Sequence, residues 1–361
     1  MTNNDWTPAV LLPNIYSEKT IEGGSVALTP ADDPRITAFG VAEPNFRELL
    51  SRFTDAFNEP ISPMVLIVRN DVLPRLTEVE AIASFRDIVA LSIIPYARGM
   101  SIVYGGKVKR RIYYSNSFWF YPWMLSKDGE ALVLSTPALH ALHMVEQFHG
   151  QCSPDLSELE ISEVDECLFE ALMARWQRHY LGNRQRRQDR ALFRSLNMAV
   201  QAAQLPGGID VGIYDIGRML SLWVSACEIL AHTPPRGAGV HQVYALLNQV
   251  SFIERTLKRR RYQVNGRPRK KRDSLPCWVY SEIYKARCDF LHGNPVRKDR
   301  LNFTGAETSL FWVSPCLYRL VLTGFLQLPP MRRPPGVFYT DPQHIVERAL
   351  LRARRRKKKN T

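Results

Sequence analysis

The segment CWVYSEIYKARCDFLHG, residues 277–293, decides how the second half of the chain is interpreted. Its apolar residues recur at helical spacing, which predicts a helix over residues 277–292. Gly293 and Pro295 then form a typical helix end, because glycine adopts the left-handed cap conformation and proline cannot continue a helix. The segment therefore predicts one helix with a sharply defined C-terminus.

The sequence on both sides of this segment has the same helical period. Residues 153–155, Ser-Pro-Asp, are typical of a helix start, with a capping serine, a proline in the first turn and an early acid. Further helices are predicted over residues 153–180, 183–204, 210–232, 239–261 and 308–328. Residues 151–330 are therefore predicted to be an all-α domain, followed by a basic tail, 331–361, with a short helix over 341–356.

Residues 1–150 alternate between helix and strand signals. Gly105 and Gly106 are flanked by two β-prone runs, which predicts a hairpin of residues 101–104 and 108–114. Helices are also predicted over 45–57 and from 77 to 94, and strands over 63–69, 118–121 and 131–134. The predicted fold class is α+β, with a mixed α/β domain over residues 1–150 preceding the all-α bundle.

Composition narrows the class of protein. Hydrophobic residues make up 45% of the 361 positions and charged residues 23%, which is enough for a core. No apolar run approaches the roughly 18–20 residues of a membrane span, and the first residues do not resemble a signal peptide. The six cysteines form no Cys-x-x-Cys pair, which favours free thiols in the cytoplasm. Phosphate-loop, dinucleotide and serine-hydrolase motifs are missing, so no cofactor is predicted.

The net charge of +13 is concentrated in two blocks. Residues 256–272 hold nine Lys/Arg and no acid, and residues 331–361 have a net charge of +8. A solvated loop and a disordered tail are the alternative, but such dense, almost acid-free blocks favour a nucleic-acid partner. The predicted phosphate-binding residues are Lys258, Arg259, Arg260, Arg261, Arg267, Arg269, Lys270, Lys271, Arg272, Arg354, Arg355, Arg356, Lys357, Lys358 and Lys359.

The helix over 277–292 also contains an acid/base candidate. His292 can take and give a proton near neutral pH, and Arg287 can fork onto a phosphate. Together they suit RNA transesterification, in which the 2′-OH is the nucleophile and no metal is needed. On a continuous helix their side chains are about 140° apart, so one protomer supplies an incomplete set and a two-fold dimer would complete it. Arg236 and His241 repeat the spacing in a Gly-rich stretch, which we interpret as accidental.

The setting of this pair resembles the HEPN superfamily, especially the Apea-like HEPN domains of prokaryotic defence proteins. The segment IYKARCDFLHGN resembles the family's Tyr-x-x-Arg-x4-His-Gly signature through Tyr284, Arg287, His292 and Gly293. The segment RMLSLWVSACEILAH resembles an apolar family helix with one embedded glutamate, here Glu228. The segment SLFWVSPCLYRLVLTGFL resembles the closing helix, and the likeness covers about 153–328.

The resemblance implies a HEPN-like helical bundle that pairs as a homodimer and cleaves RNA without metal, as an effector of anti-phage defence. Arg287 would stabilise the phosphate and His292 would be the general acid/base. The implied supporting residues are Asp289, Asn294, Glu228 and Tyr284, with a buried structural salt bridge as the alternative role of Glu228. Residues 1–150 would then sense or regulate, through a partner or ligand. The family often has Asn, Asp or His after the arginine, where this chain has Cys288. That departure favours the alternative, a non-catalytic HEPN-fold module for nucleic-acid binding or dimerisation.

Three other clusters have simpler interpretations. The aromatic residues within 118–123 are expected to fill a core rather than stack on bases. The acids between 155 and 170 are expected to form a solvated helix face. A third group has a spacing that suits zinc, but an ordinary helix end is favoured, so no metal site is predicted. Its members are His140, His143, His149 and Cys152.

Overall fold

The computed structural model shows two compact units. Residues described are 5–55, 57–76, 79–105, 112–126, 132–133, 141–142, 150–151, 157–159, 163–183, 186–207, 210–232, 237, 239–292, 294, 296–303, 308–330 and 341–354. The first unit comprises Met1–Phe85 and Asn116–Glu163, and the second comprises Arg86–Ser115 and Val164–Thr361. This division differs from our sequence-based boundaries, because residues 86–115 belong to the second unit and residues 151–163 to the first.

The first unit is built on an antiparallel sheet with strand order β1-β6-β4-β3. Its strands are β1 (Trp6–Leu12), β3 (Ile21–Glu22), β4 (Val26–Pro30) and β6 (Met64–Arg69). The strand predicted over 63–69 is confirmed as β6, which pairs with β1 on one side and β4 on the other. Its residues Met64 to Val68 are all buried. The strand sequence is therefore one continuous apolar run, without the alternation of polar and apolar residues that a half-exposed strand has.

Two short helices and several two-residue strands complete the first unit. Helices α1 (Pro34–Ala42) and α2 (Pro44–Ser51) contribute Ile36, Phe46 and Leu49 to a core shared with the sheet. The helix predicted over 45–57 is thus shorter than expected. The short strands are β2 (Ile15–Tyr16), β5 (Phe53–Thr54), β7 (Met124–Leu125), β8 (Leu132–Val133), β9 (Ala141–Leu142), β10 (Gly150–Gln151) and β11 (Ser157–Glu158).

Three local predictions in this region were wrong. The hairpin is not formed, because Ser101–Tyr104 is the end of a long helix, α3 (Val79–Tyr104), in which Met100 and Val103 are buried. Gly105 follows with φ +61°, the left-handed conformation of a helix end. The strand predicted over 118–121 is not formed: Phe118 ends a short 3-10 turn, Ser115–Phe118, and residues 119–121 have no regular secondary structure. Residues 157–158 form strand β11 parallel to β2, and not the helix predicted from 153.

The second unit is helical. It contains the part of α3 after Phe85 and the helices α4 (Glu166–Trp176), α5 (Arg187–Ala202), α6 (Ile213–Ala231), α7 (Val240–Gln249), α8 (Leu275–Leu291), α9 (Leu310–Leu326) and α10 (Pro342–Ala353). The α+β composition is therefore confirmed. No helix in the described ranges is long and apolar enough to cross a membrane.

Helices α6 and α9 lie at the centre of this unit. Nearly all of α9 is buried, and α6 packs against α5, α8 and α9. Gly217 of α6 lets α8 approach closely, because a Cβ there would lie 2.3 Å from the ring of Phe290. The packing of α6 on α8 therefore sets the position of residues 277–292, which contain Arg287 and His292.

Two long-range polar contacts explain where the other helix predictions failed. Helix α4 begins at Asp165, whose carboxylate caps Leu168 and pairs with Arg319 at 2.6 Å, so this acid is buried and not solvated. Helix α7 ends at Gln249, well before 261. The N–H groups of Ile253 and Glu254 instead donate to the buried carboxylate of Glu347, at 3.1 and 2.7 Å.

The helix predicted over 341–356 is confirmed as α10, but it is not part of a free tail. Asp341 caps it through the N–H of Gln343, and α10 packs against α9. Glu347 of α10 is fully buried. Residues 341–353 thus belong to the helical unit, and residues 355–361 lie outside the described part of the chain.

Candidate active site and nucleic-acid interface

Helix α8 runs from the core of the helical unit to its surface. Ser274 precedes it and Pro276 occupies its first turn, where proline is tolerated. The first three turns are mostly buried, whereas Leu291 in the last turn is 59% exposed. His292 is exposed at the C-cap and donates its backbone N–H to the carbonyl of Cys288 at 3.0 Å. The helix end predicted from the sequence is therefore confirmed to within one residue.

Arg287 lies one turn before this end and is half-buried. Its Cζ is 5.6 Å from the centroid of the Tyr284 ring, and its Nε is buried without a hydrogen-bond partner. Burial raises the pKa of Glu228, and the positive charge of Arg287 acts in the opposite direction. The structure thus brings three predicted site residues together electrostatically: Arg287, Tyr284 and Glu228. Glu228 forms no direct ion pair with Arg287 within the described residues.

Two buried donors near this cluster were not identified from the sequence. The hydroxyl of Tyr280 and the Nε1 of Trp223 are both buried without hydrogen-bond partners. Burial raises the pKa of Tyr280, and the neighbouring Cys227 and Glu228 add to that rise. Tyr280, Tyr284 and Arg287 follow one stripe of α8 at helical spacing, a signal that could have identified the hydroxyl.

Buried polar groups without partners are uncommon in folded proteins and often mark functional sites. The side chains of Tyr280 and Arg287 share a stripe of α8, and Trp223 lies one turn before Cys227 on α6, the helix against α8. Between them they leave an O–H, a guanidinium N–H and an indole N–H unused. Trp223 packs against Tyr318 of α9, with ring centroids 5.4 Å apart, and Tyr280 lies two turns of α8 before Arg287, so the three groups are separate unused donors.

His292 is not brought into contact with Arg287. In the ranges that the structure describes, no hydrogen bond or ring contact joins the two side chains, and the histidine ring faces solvent. This agrees with the angle expected for positions five residues apart on a helix. One chain therefore presents an arginine partly inside the fold and a histidine outside it.

Asp289 and Asn294 fold the chain back onto the end of α8. The Asn294 Nδ2 donates to the Asp289 carboxylate at 3.3 Å, and the Asn294 N–H donates to the Asp289 carbonyl at 3.2 Å. Arg300 donates to the same carboxylate from a 3-10 turn, Lys298–Leu301. Arg300 was not predicted as a site residue from the sequence. These three residues fix the segment that follows His292.

The basic segment, residues 258–272, is a folded loop with an exposed surface. It is closed by a bridge between Tyr262 and Asp273, in which the Asp273 N–H donates to the Tyr262 carbonyl at 2.8 Å. Its exposed cations are Lys258, Arg259, Arg260, Arg261, Arg269, Lys270, Lys271 and Arg272. Arg267 differs, because it is half-buried and lies 3.6 Å from the Asp273 carboxylate. The charge of Arg267 is therefore partly compensated by Asp273 within the fold.

The second basic block meets this loop at Arg354. Its guanidinium lies 4.6 Å from the centroid of the Tyr262 ring, which in turn is 5.6 Å from Trp278. Trp278 stacks on Phe303 at 5.4 Å. The basic segment and the end of α10 thus form one surface. Of the predicted tail cations, Arg355, Arg356, Lys357, Lys358 and Lys359 lie outside the described residues.

The remaining sequence candidates have different outcomes. His140, His143, His149 and Cys152 lie outside the described residues, as does Gly293. Phe118 is fully buried and Tyr121 and Trp123 pack against the core of the first unit, as predicted, but Trp119 is 45% exposed. No cluster of three potential metal ligands occurs within the described part of the chain.

Comparisons of the chain with models of known families, with curated proteins and with solved structures find no match. The residues at the end of α8 and the basic surface are therefore the features that bear on function.

Proposed function

We propose that this chain is a metal-independent endoribonuclease of the HEPN type, acting in the cytoplasm as the effector of a prokaryotic anti-phage defence system. The observation that supports it most is the pairing of two features at the end of α8. Arg287 has a buried Nε without a partner, and His292 is exposed at the helix C-cap. An unpaired donor and a solvent-facing acid/base on one helix end suit phosphate chemistry.

In the proposed reaction the substrate supplies its own nucleophile. His292 accepts the proton of the 2′-OH as its oxygen bonds to the adjacent phosphorus. Arg287 stabilises the extra negative charge on the phosphate oxygens in the transition state. The bond from phosphorus to the 5′ oxygen then breaks, and that oxygen takes a proton from a protonated histidine. The products are a 2′,3′-cyclic phosphate and a 5′-hydroxyl.

Arg287 and His292 do not touch within one chain, so a homodimer would complete the site by placing the arginine of one chain beside the histidine of its partner. Tyr214 and Leu291 are 69% and 59% exposed, and Val211 is 38% exposed. Tyr214 packs edge-on against Phe290 with ring centroids 6.0 Å apart, so this apolar surface adjoins the end of α8. Burying it in a two-fold contact would place His292 of each chain near the axis. The apolar surface supports the proposed pairing.

Glu228 and Tyr284 support the arginine in this proposal. Burial raises the pKa of Tyr284, with Cys288 and Glu228 adding to the rise, so its hydroxyl remains a neutral hydrogen-bond donor. The negative charge of Glu228 attracts the guanidinium of Arg287. We therefore assign both residues to positioning Arg287. Asp289 and Asn294 position the segment that contains His292.

The basic surface would supply affinity for RNA. Its exposed lysines and arginines can neutralise phosphates without reading bases. The first unit would then regulate the nuclease through a partner or ligand.

A second candidate function is a non-catalytic module that binds nucleic acid or dimerises. The observation in its favour is that Arg287 and His292 do not touch within one chain, together with Cys288 after the arginine. This candidate predicts RNA binding without turnover, whereas the nuclease proposal predicts both.

The test is cleavage of a labelled RNA in EDTA by wild type, His292→Ala and Arg287→Ala. The matched control is His241→Ala, which removes the histidine of the other Arg-x4-His pair and is also exposed. We expect cleavage by wild type and His241→Ala, and none by the other two. Binding without cleavage in wild type would favour the second candidate.

A further inference from the structure

Arg98 is a buried cation outside the proposed active site. It lies on α3 and is 2% exposed. Its Cζ is 4.2 Å from the centroid of the Trp312 ring, 4.7 Å from that of Tyr114 and 6.0 Å from that of Phe311. The Nε and Nη1 of Arg98 are buried and have no hydrogen-bond partner. The guanidinium is thus surrounded by rings, and although the Tyr114 side chain hydrogen-bonds it, its Nε and Nη1 have no acceptor.

Comparison with Arg319 shows what Arg98 lacks. Both arginines are 2% exposed, but the Nε of Arg319 donates to the Asp165 carboxylate at 2.6 Å. Among the residues that the structure describes, no carboxylate pairs with Arg98. Burial lowers the pKa of Arg98, yet an arginine does not lose its proton in proteins. The ring contacts attract the cation but leave its charge uncompensated.

The same place contains a second positive feature, the start of α9. Phe311 and Trp312 belong to the first turn of this 17-residue helix, and Ser309 caps it by accepting the Phe311 N–H at 3.2 Å. The first turn contains no acid. A helix N-terminus corresponds to roughly half a positive charge. Arg98 and the helix together therefore present about one and a half positive charges with no negative partner in the described chain.

We propose that Arg98 and the N-terminus of α9 form a binding site for a phosphate group. A phosphate carries about −1.5 to −2 charges at neutral pH and three acceptor oxygens, which matches this charge and the unused donors. A carboxylate offers one charge and two oxygens. Phe311 and Arg98 are almost fully enclosed, and Tyr114 and Trp312 are partly exposed at the outer side. The site therefore suits inorganic phosphate or the phosphate of a small monoester.

The test compares thermal unfolding of wild type, Arg98→Met and Arg194→Met in inorganic phosphate and in acetate, at equal ionic strength. Arg194 is an exposed arginine of α5, so its variant controls for the loss of one charge. At about a hundred times the dissociation constant we expect phosphate to raise the melting temperature of wild type and Arg194→Met by about 3–5 °C. Arg98→Met should show no rise, and acetate should leave all three unchanged.

A phosphorus NMR titration of wild type supplies the stoichiometry and does not depend on any variant. We expect wild type to bind one phosphate per chain. Arg98→Lys should bind phosphate at least about tenfold more weakly, because it keeps the charge but loses the planar set of N–H donors of the guanidinium. Glycerol phosphate distinguishes the sources: tighter binding than inorganic phosphate indicates a monoester, and equal or weaker binding indicates the free ion. An equal melting shift in Arg98→Met, an equal shift with acetate, or no saturable phosphate binding by wild type would overturn the proposal.

Discussion

The end of α8 and the basic segment both present cations, but they present them in opposite ways. Arg287 is half-buried among aromatic and acidic neighbours, and its Nε has no partner. Arg259 and Arg260 are exposed on a loop. A partly buried charge acts through a lower dielectric, whereas exposed charges are screened by salt. The difference indicates that chemistry and affinity reside in separate regions, and each prediction below tests that separation.

The largest effect is expected from Arg287→Ala. Removing the only group assigned to stabilise the transition-state charge should lower the cleavage rate at saturating RNA by about 10²–10³-fold. RNA affinity should change little, because the exposed cations remain. The measurements are single-turnover cleavage and equilibrium binding on the same RNA. A loss of binding as large as the loss of rate would erase the distinction between the two regions.

Neutralising the basic segment should weaken RNA binding and leave the cleavage rate almost unchanged. A variant with Lys258, Arg259, Arg260, Arg261, Arg269 and Lys270 changed to Gln should flatten the plot of log K against log salt by about 4 units, at roughly 0.7 per single-strand contact. Turnover at saturating RNA should stay near wild type. Arg267 is left unchanged because it lies beside Asp273.

The matched control for charge is a variant of α5 with Arg186, Arg190 and Arg194 changed to Gln, all of which are exposed. Its salt slope should remain that of wild type. An equal loss of slope per charge would mean that RNA binds to net charge and not to the basic segment.

Mixing two inactive variants tests whether the α8 end is shared between chains. In an equal mixture of Arg287→Ala and His292→Ala about half of the pairs are hybrids, each with one intact arginine and one intact histidine on opposite chains. Cleavage should return in the mixture and not in either variant alone. Exchange between differently tagged chains confirms that hybrids form. Hybrids that form but do not cleave RNA, or a wild type that cleaves RNA as a monomer, would contradict a site shared between two chains.

The smallest effect concerns Glu228. Because burial raises its pKa, the folded protein holds the protonated form more tightly than the unfolded chain does. The stability from this group is present at low pH and is lost as pH rises through the raised pKa. Glu228→Gln should therefore gain in melting temperature relative to wild type as pH rises from 4 to 8. Glu170→Gln, at an exposed position, should show no such trend.

Local signals determined how well the α8 region could be predicted. Gly293 and Pro295 mark the helix end within the sequence itself, so the predicted helix over 277–292 agrees with Leu275–Leu291. The bounds of α9 were predicted equally closely, as Leu310–Leu326 against 308–328. These helices depend on neighbouring residues, and the sequence contains all the information that they need.

Features that depend on distant residues were not predictable. Asp165 pairs with an arginine 154 positions away, and Glu347 accepts the N–H groups of Ile253 and Glu254, just after α7, from more than 90 positions away. The unused donors of Trp223 and Tyr280 become evident only when α6 is packed on α8. The failed hairpin has the same cause, because burial of Met100 and Val103 extends α3 through a β-prone sequence.

The most direct test of the central claim is the chemistry of the RNA ends formed in EDTA by wild type and by His292→Ala, with His241→Ala as control. The account predicts 2′,3′-cyclic phosphate ends from wild type and from His241→Ala, with no loss of rate on chelation, and no product from folded His292→Ala. Products with 3′-hydroxyl ends, cleavage that stops in EDTA, or cleavage that survives in His292→Ala would contradict the account.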